Sequence, residues 1–193
     1  MRNGPEPVCA TRRDRTGQGE RRVSVLRTVV PGSLLVDPAT SGGPAGTRVF
    51  TVRRKRRVAR DAVYGLHLHR SEAVLLGVVR GSGYAVVIDA RPDTETFGRL
   101  AVSLLDDERM LLVPPGCLYG IQSLADGTVV EIRSAARPTR RDRTGVDPDD
   151  PDLQLRWLRA RPTRNPGPDR SWAGLCSRLG APSGPRRDRV SIW

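Results

Sequence analysis

The chain has 193 residues, a formal net charge of +12 and a pI of about 11.2, and only 4% of its residues are aromatic. This length is sufficient for one domain with a hydrophobic core, and the charge favours an anionic partner such as a nucleotide or a phosphorylated small molecule. Nucleic acid is disfavoured because rings for base stacking are scarce and because Lys55 is the only lysine, an arginine bias typical of a GC-rich genome.

The two ends of the chain lack hydrophobic periodicity. Residues 1–22 and 180–193 are rich in arginine, proline, glycine and aspartate, a composition typical of disordered or loosely draped tails. We predict a disordered tail over 1–22, one folded domain over 23–160 and a C-terminal extension over 161–193, with room for one short helix from Ser171 to Leu179.

The sequence predicts a soluble, cytoplasmic protein with no membrane partner. It has no apolar run near 18 residues and no signal peptide. Its cysteines, Cys9, Cys117 and Cys176, are widely spaced and form no zinc-binding pattern, so we expect reduced thiols.

Short apolar runs alternate with turn residues through most of the chain. Val23–Val36 predicts one or two short strands, which the turn residues Pro31 and Gly32 interrupt. The later predicted strands are Val49–Val52, Ala62–His69, Ala73–Val79, Tyr84–Ile88, Arg99–Leu104, Met110–Val113, Leu118–Ile121 and Val129–Ile132. Short strands at intervals of about 8–12 residues, separated by glycine, proline and aspartate turns, predict an all-β sandwich or barrel.

The densest basic run is Arg53-Arg54-Lys55-Arg56-Arg57, with Arg60 just beyond it. Two interpretations remain open. The run is either a solvated edge strand or loop, or a site for phosphate groups.

The only two histidines of the chain, His67 and His69, stand two residues apart in one predicted strand. On a strand this spacing points both imidazoles to the same side of the sheet. The surrounding strands and turns make this pair the first candidate for a functional site.

Several short motifs follow one another in a specific order from about Phe50 to Trp157. They are Gly65-Leu66-His67; Val78-Val79-Arg80-Gly81 followed by Tyr84, Val86, Asp89 and Arg91; Thr96-Phe97-Gly98; Val113-Pro114-Pro115-Gly116; Gly120; and Asp149-Asp150-Pro151-Asp152-Leu153. In this order and spacing they resemble the dTDP-4-dehydrorhamnose 3,5-epimerase family. The resemblance implies a cupin-type jelly-roll barrel, here with irregular Arg/Pro-rich terminal segments, and a ligand cavity between its sheets.

The resemblance also implies a function. The expected substrate is a dTDP-activated 4-keto-6-deoxyhexose, from which a base removes a proton next to the ketone before a proton returns on the other face. The family's base maps onto His67, and its orienting carboxylate matches Asp169 best. The resemblance further implies a homodimer and no cofactor.

The chain departs from the family at several site positions. The family's catalytic tyrosine falls on Ile132, and the lysine that steadies the enolate oxygen falls on Val74. The arginine before Gly-Leu-His is Tyr64, and the histidine after Pro-x-Gly is Tyr119. The N-terminal Arg-Gly-Phe stretch has no counterpart. These departures argue against the standard double epimerisation.

Our first hypothesis is therefore an isomerase with a rebuilt site, in deoxysugar or natural-product biosynthesis. His67 is the base, Tyr119, Tyr64 or Tyr84 replaces the lost acid, and arginines such as Arg60 hold an anionic group. Single-site epimerisation or keto–enol isomerisation needs fewer groups than two epimerisations. The residues expected to contact substrate are Tyr64, Arg60, His69, Tyr84 and Ile132.

Two alternatives remain. His67, His69 and Glu72 resemble the first cupin metal motif and would hold a divalent metal, although Glu72 is one residue short of the usual spacing. In the other alternative, the chain is a repurposed cupin that acts on a non-sugar natural product, or a non-catalytic partner.

Overall fold

The computed structural model describes residues 8–10, 23–36, 50–136, 143–160, 170–182 and 190–192. These residues form thirteen strands, one 3₁₀ turn and one α-helix. The strands are β1 Val8–Ala10, β2 Val23–Arg27, β3 Leu34–Val36, β4 Val52–Val58, β5 Val63–His69, β6 Val74–Arg80, β7 Gly83–Asp89, β8 Leu100–Leu105, β9 Met110–Val113, β10 Cys117–Ser123, β11 Thr128–Ser134, β12 Arg143–Gly145 and β13 Val190–Ile192; the 3₁₀ turn is Pro151–Leu153 and helix α1 is Trp172–Leu179.

The strands form two sheets. The seven-stranded sheet has the order β1-β2-β3-β9-β6-β11-β4, and the six-stranded sheet has the order β12-β5-β10-β7-β8-β13. Neighbouring strands are antiparallel, except that β13 pairs parallel to β8. The fold is all-β with the jelly-roll layout of a cupin, as the sequence predicts.

Apolar side chains from both sheets meet in one inner core. Leu76, Val130 and Ile132 come from the seven-stranded sheet, and Val87 and Tyr119 come from the six-stranded sheet. All five are at most 3% exposed. The residues of this cluster therefore mark the inner face of each strand.

A second core covers the outer face of the six-stranded sheet. Leu68, Ile88 and Leu118 point outward from it and pack with Trp172 and Leu175 of helix α1. The helix lies within the predicted Ser171–Leu179 segment, and the Ser171 side chain caps it by accepting a hydrogen bond from the Gly174 amide. The C-terminal extension thus completes the packing of this sheet.

The basic run does not follow a strand but is itself part of a strand at the edge of a sheet. We predicted a strand over Val49–Val52, but strand β4 extends from Val52 to Val58 and contains all five basic residues, while Val49 lies outside the described residues. Strand β4 is the last strand of the seven-stranded sheet, and β11 is its one partner among the described strands. The run is therefore part of an edge strand, in which Arg53, Lys55, Arg56 and Arg57 are exposed.

Two short strands come from the terminal segments. Val8–Ala10, inside the predicted disordered tail, pairs with Val23–Val25, and Val190–Ile192 pairs with Leu100–Val102. In the described part of the chain, no helix is both long enough and apolar enough to span a membrane.

Candidate active site

Strand register places both histidines inside the barrel. His67 is the pairing partner of Tyr119, and Tyr119 belongs to the inner core. Residues directly opposite each other on antiparallel strands point to the same face. His67 and, two residues on, His69 therefore point into the interior, as their spacing predicts.

A bulge brings Tyr64 onto the same face as His67. Tyr64 pairs with Ile121 and His67 pairs with Tyr119, so the two residues between Tyr64 and His67 lie opposite Gly120 alone. Simple alternation would turn Tyr64 away from a residue three positions later. Instead, Tyr64 packs against the inner core.

Close approach of two backbones at this bulge requires glycine. Gly65 has a φ of 141°, and a Cβ on it would lie 2.6 Å from the Cα of Gly120. Such a contact is too short for carbon atoms. The Gly-Leu-His motif therefore has a structural basis: its glycine permits the bulge that presents Tyr64 and His67 together.

Four rings form a continuous cluster on this wall. The His67 ring centroid lies 4.6 Å from that of Tyr64 and 5.9 Å from that of Tyr119. The Tyr119 ring lies 5.7 Å from the His69 ring, and the Tyr119 hydroxyl lies 3.4 Å from His69 Nε2. Tyr119 and His69 are buried, whereas His67 and Tyr64 are partly exposed. His67 is thus the less buried of the two imidazoles, although its Nε2 atom is buried.

The facing wall is apolar at two positions that matter. Ile132 and Val74 project into the inner core from the seven-stranded sheet, and each is at most 1% exposed. Neither side chain can donate or accept a proton. The titratable groups of the described site are therefore concentrated on the six-stranded wall.

Two other predicted site residues lie elsewhere. Tyr84 lies on the outer face of β7, where its ring packs edge-on against Trp157 at 6.3 Å, and burial raises the pKa of its hydroxyl. Arg60 lies in the turn after β4, where its Nη1 donates to Asp126 at 3.1 Å with both side chains exposed. The structure does not bring either residue together with the ring cluster.

The carboxylate of the metal hypothesis does not join the histidines. Glu72 Oε2 accepts a hydrogen bond from the Ala136 amide at 3.4 Å, whereas His69 Nε2 faces the Tyr119 hydroxyl. Across the residues that the structure describes, no group of three or more His, Cys, Asp or Glu side chains is arranged to hold a metal. The geometry does not support the metal alternative.

Asp169 lies outside the described residues, but the next residue is placed close to β5. The Arg170 carbonyl accepts a hydrogen bond from the Asp147 amide at 2.8 Å. Asp147 follows strand β12 by two residues, and Gly145 at the end of that strand pairs with His67. The chain therefore comes back beside the His67 strand immediately after position 169.

A charge pair with a buried carboxylate near this wall was not predicted as a polar centre. Asp89, at the end of β7, is fully buried and accepts hydrogen bonds from Arg91 Nε at 2.8 Å and Arg91 Nη2 at 2.6 Å. Burial alone would raise the pKa of Asp89, but the bonds from Arg91 and Thr96 outweigh it and lower the pKa. Burial, with the negative charge of Asp89, raises the pKa of the neighbouring Cys117 to about 12. These groups fasten the loop after β7 and keep the thiol neutral.

Known proteins of one family match the chain. The model of the dTDP-4-dehydrorhamnose 3,5-epimerase family matches residues 43–175. The dTDP-4-dehydrorhamnose 3,5-epimerase of Mycobacterium tuberculosis is 37% identical over 99 residues, which are 48% of this chain and 48% of that protein. The dTDP-4-dehydro-6-deoxyglucose 3-epimerase of Streptomyces bikiniensis is 35% identical over 104 residues, covering 51% of this chain and 53% of that protein. The chain thus spans about half the length of the curated relatives it matches.

The fold is also found in a related crystal structure. A 4-keto-6-deoxy sugar epimerase from the novobiocin biosynthetic gene cluster of Streptomyces spheroides superimposes with a TM-score of 0.69. The match covers 82% of this chain and 91% of that one at 20% sequence identity. At this identity the likeness supports the fold.

Proposed function

Because the chain belongs to the dTDP-4-dehydrorhamnose 3,5-epimerase family, we propose that it isomerises a dTDP-activated 4-keto-6-deoxyhexose by moving a proton next to the ketone. The observation that carries the proposal is the inward position of His67 in the Gly-Leu-His motif, partly exposed and flanked by the Tyr64 and Tyr119 rings. The M. tuberculosis and S. bikiniensis relatives are named as epimerases of such sugars, which supports this substrate class.

His67 is the proposed base. A C–H bond beside a ketone is acidic because its conjugate base is an enolate, and imidazole is suited to remove the proton because its pKa lies near neutral pH. Removal of the proton and its return balance without an oxidant or a reductant. The residue is partly exposed, and its ring lies between those of Tyr64 and Tyr119.

Tyr119 is the proposed second proton-transfer group. It is adjacent to His67 across the strand pair, and its hydroxyl faces His69 Nε2 at 3.4 Å. A hydroxyl in this position can exchange its proton with the imidazole behind it. Tyr119 would supply part of the function that Ile132 lacks.

Asp169 remains the proposed orienting carboxylate for His67. The position of Arg170 next to β12, the strand that pairs with β5, supports this proposal. If Asp169 fixes the tautomer of His67, then Asp169→Asn will lower kcat by about 10²-fold or more while substrate affinity changes little. Equal kcat values for Asp169→Asn and the wild type would exclude Asp169 as the residue that orients His67.

A second reaction, migration of the ketone, is favoured by the one-sided distribution of titratable groups. Inversion of a carbon needs proton donation from the face opposite the base, where Ile132 and Val74 are apolar. In ketone migration, C3 loses its hydrogen to His67, the C4 oxygen takes up a proton, and an enediol forms between C3 and C4. A proton then returns to C4 from the same wall, and the C3 hydroxyl loses its proton, which leaves the ketone at C3.

The test uses dTDP-4-keto-6-deoxyglucose in deuterium oxide, followed by NMR. We expect the wild type to introduce deuterium next to the ketone and His67→Asn, which keeps a polar side chain but removes the titratable imidazole, to abolish this exchange. A C3 epimer as product identifies epimerisation, and a C3 ketone identifies migration. Absence of exchange by the wild type would refute the proposed function and favour a non-catalytic role, and exchange by His67→Asn would refute His67 as the base.

The proposed assembly is a homodimer, supported by the family resemblance alone. Sedimentation equilibrium is expected to give twice the chain mass of 21.1 kDa. A mass of one chain across the micromolar concentration range would contradict it.

A further inference from the structure

The basic run on β4 has two faces with different surroundings. Val58, in register with Thr128, belongs to the inner core, and Arg56 and Arg54 pair with the inner-core residues Val130 and Ile132. Arg54 and Arg56 therefore lie on the barrel-facing side of the strand. The remaining basic residues of the run are Arg53, Lys55 and Arg57. They alternate with Arg54 and Arg56, lie on the outer face of β4 and are exposed.

Arg54 is unusual among these residues. Its side chain is partly buried, and its Nε is a buried donor with no hydrogen-bond partner among the residues that the structure describes. Its guanidinium also forms no ion pair with any residue that the structure describes. Arg56 is exposed, and its Nη1 donates to the neighbouring Lys55 carbonyl at 3.3 Å.

A buried N–H donor without an acceptor is costly to a folded protein. A ligand oxygen can supply the missing acceptor, and the partial burial of the Arg54 side chain beside apolar surface strengthens its attraction to an anion. The planar fork of arginine matches the paired oxygens of a phosphate. The apolar surface here is Ile132, the cross-strand neighbour of Arg54.

Arg54 and His67 lie at similar distances along their strands from the turn that joins β4 and β5. It precedes the end of β4 by four residues, and His67 follows the start of β5 by four residues. The two strands are joined by residues 59–62, and each separation corresponds to about 13 Å of strand. Val58, Ala62 and Tyr64 belong to one apolar cluster at this junction, so the inner faces of β4 and β5 border the same space.

We propose that Arg54, assisted by Arg56, binds a phosphate or diphosphate group at the barrel side of β4. In the context of the proposed function, on which this identification rests, the group is the diphosphate that links the nucleoside to the sugar. Binding there would direct the sugar from the seven-stranded edge toward His67. The outer-face arginines of the same strand take no part.

The experiment measures ligand affinity by isothermal titration calorimetry with dTDP, pyrophosphate and thymidine. The key variant is Arg54→Leu, and Arg53→Leu is its matched control, with the same substitution one residue away on the outer face. We expect Arg54→Leu to weaken dTDP and pyrophosphate binding about tenfold or more, and Arg53→Leu to change either by less than about twofold. Thymidine, which has no phosphate, should bind all three proteins equally.

Two further measurements separate a ligand site from a structural role. Arg54→Leu should melt at the same temperature as the wild type or higher, because the substitution removes an unsatisfied buried donor. Arg54→Lys keeps the charge but loses the fork, so its dTDP affinity should lie between those of the wild type and Arg54→Leu. A marked fall in melting temperature for Arg54→Leu would overturn the proposal in favour of a structural arginine.

The outcomes distinguish this inference from the proposed function. If the wild type exchanges the sugar proton but Arg54→Leu binds dTDP and pyrophosphate as Arg53→Leu does, the anion site is refuted and the isomerase remains. If the wild type binds pyrophosphate through Arg54 but exchanges no proton, the isomerase is refuted and the anion site remains. Failure of the wild type to bind either anion would overturn the site.

Discussion

The hydroxyl of Tyr119 lies 3.4 Å from Nε2 of His69, and both side chains are buried next to His67. The pair gives a reason for the second histidine of the His-x-His sequence. Its imidazole faces a phenol, while Glu72, the third residue of the metal motif, bonds elsewhere. Two predictions test whether this pair takes part in proton transfer.

Removing only the hydroxyl of Tyr119 should slow the chemistry without emptying the site. We expect Tyr119→Phe to lower kcat by about 10²-fold with little change in KM, because the ring still fills its place in the core. Steady-state kinetics and deuterium incorporation measure both values. Tyr84→Phe is the matched control, since Tyr84 lies on the outer face against Trp157 and should not alter kinetics. Equal effects of the two substitutions would exclude Tyr119 as a proton-transfer group.

His69 should act through Tyr119 and not independently. We expect His69→Gln to lower kcat about tenfold in the wild type and to have no further effect in the Tyr119→Phe background, because residues that work as a unit are not additive. The measurement is a double-mutant cycle on kcat. Multiplication of the two effects in the double variant would show that His69 has a role separate from the Tyr119 hydroxyl.

The sequence predicts most of the central strands because their apolar runs are bounded by strong turn residues, as in Met110–Val113, where prediction and structure agree. The exceptions depend on distant partners. The basic run becomes β4 because β11 supplies its hydrogen bonds, although five consecutive charges do not resemble a strand. Strands β1 and β13 likewise form only by pairing with β2 and β8.

A site residue can be predicted from the sequence where it belongs to a recognisable motif. It cannot be predicted where its role depends on which face of a strand its side chain occupies. His67 follows from Gly-Leu-His. Tyr84 could not be assigned to a face, because β7 is apolar at both alternating positions and only packing shows that Ala85 and Val87 are the inner residues. The run contains five similar basic residues, and residue type alone does not distinguish Arg54. Its face could have been inferred from the apolar Val58, which lies four residues later and therefore on the same face of the strand.

The bulge at Gly65 is expected to be intolerant of a side chain. Gly65→Ala introduces a Cβ about 2.6 Å from the Cα of Gly120, so one backbone must move and the Tyr64–His67 pair with it. We expect a loss of about 2–4 kcal/mol in the free energy of unfolding, the sum of an unfavourable positive φ and overpacking, and loss of proton exchange. Urea denaturation and the exchange assay provide the measurements.

Gly127→Ala is the control for this substitution. Gly127 also has a positive φ, 68°, but a Cβ there meets only the end of the Arg80 side chain at 4.0 Å. We expect it to lose about 1 kcal/mol and to retain exchange. Similar losses in the two variants would mean that backbone conformation, and not the contact with Gly120, accounts for the effect at Gly65.

The Asp89–Arg91 pair predicts how stability depends on pH. Asp89 is fully buried, its pKa is lowered, and it joins the end of β7 to the following loop through Arg91, Thr94 and Thr96. Because its folded pKa lies below the unfolded value, its contribution is complete above about pH 4, the usual Asp value, and is lost as the pH falls through the folded pKa. We therefore expect Asp89→Asn to cost about 2–3 kcal/mol at pH 7, the scale of hydrogen bonds to a charged group, because the Arg91 that it leaves is partly exposed. The cost should become progressively smaller below about pH 4, as measured by urea denaturation across this range. Asp126→Asn, at the exposed pair with Arg60, is the control and should cost at most about 1 kcal/mol. If the cost of Asp89→Asn at pH 7 matched that of Asp126→Asn, or stayed constant down to pH 2, the charge on Asp89 would not be what fastens this loop.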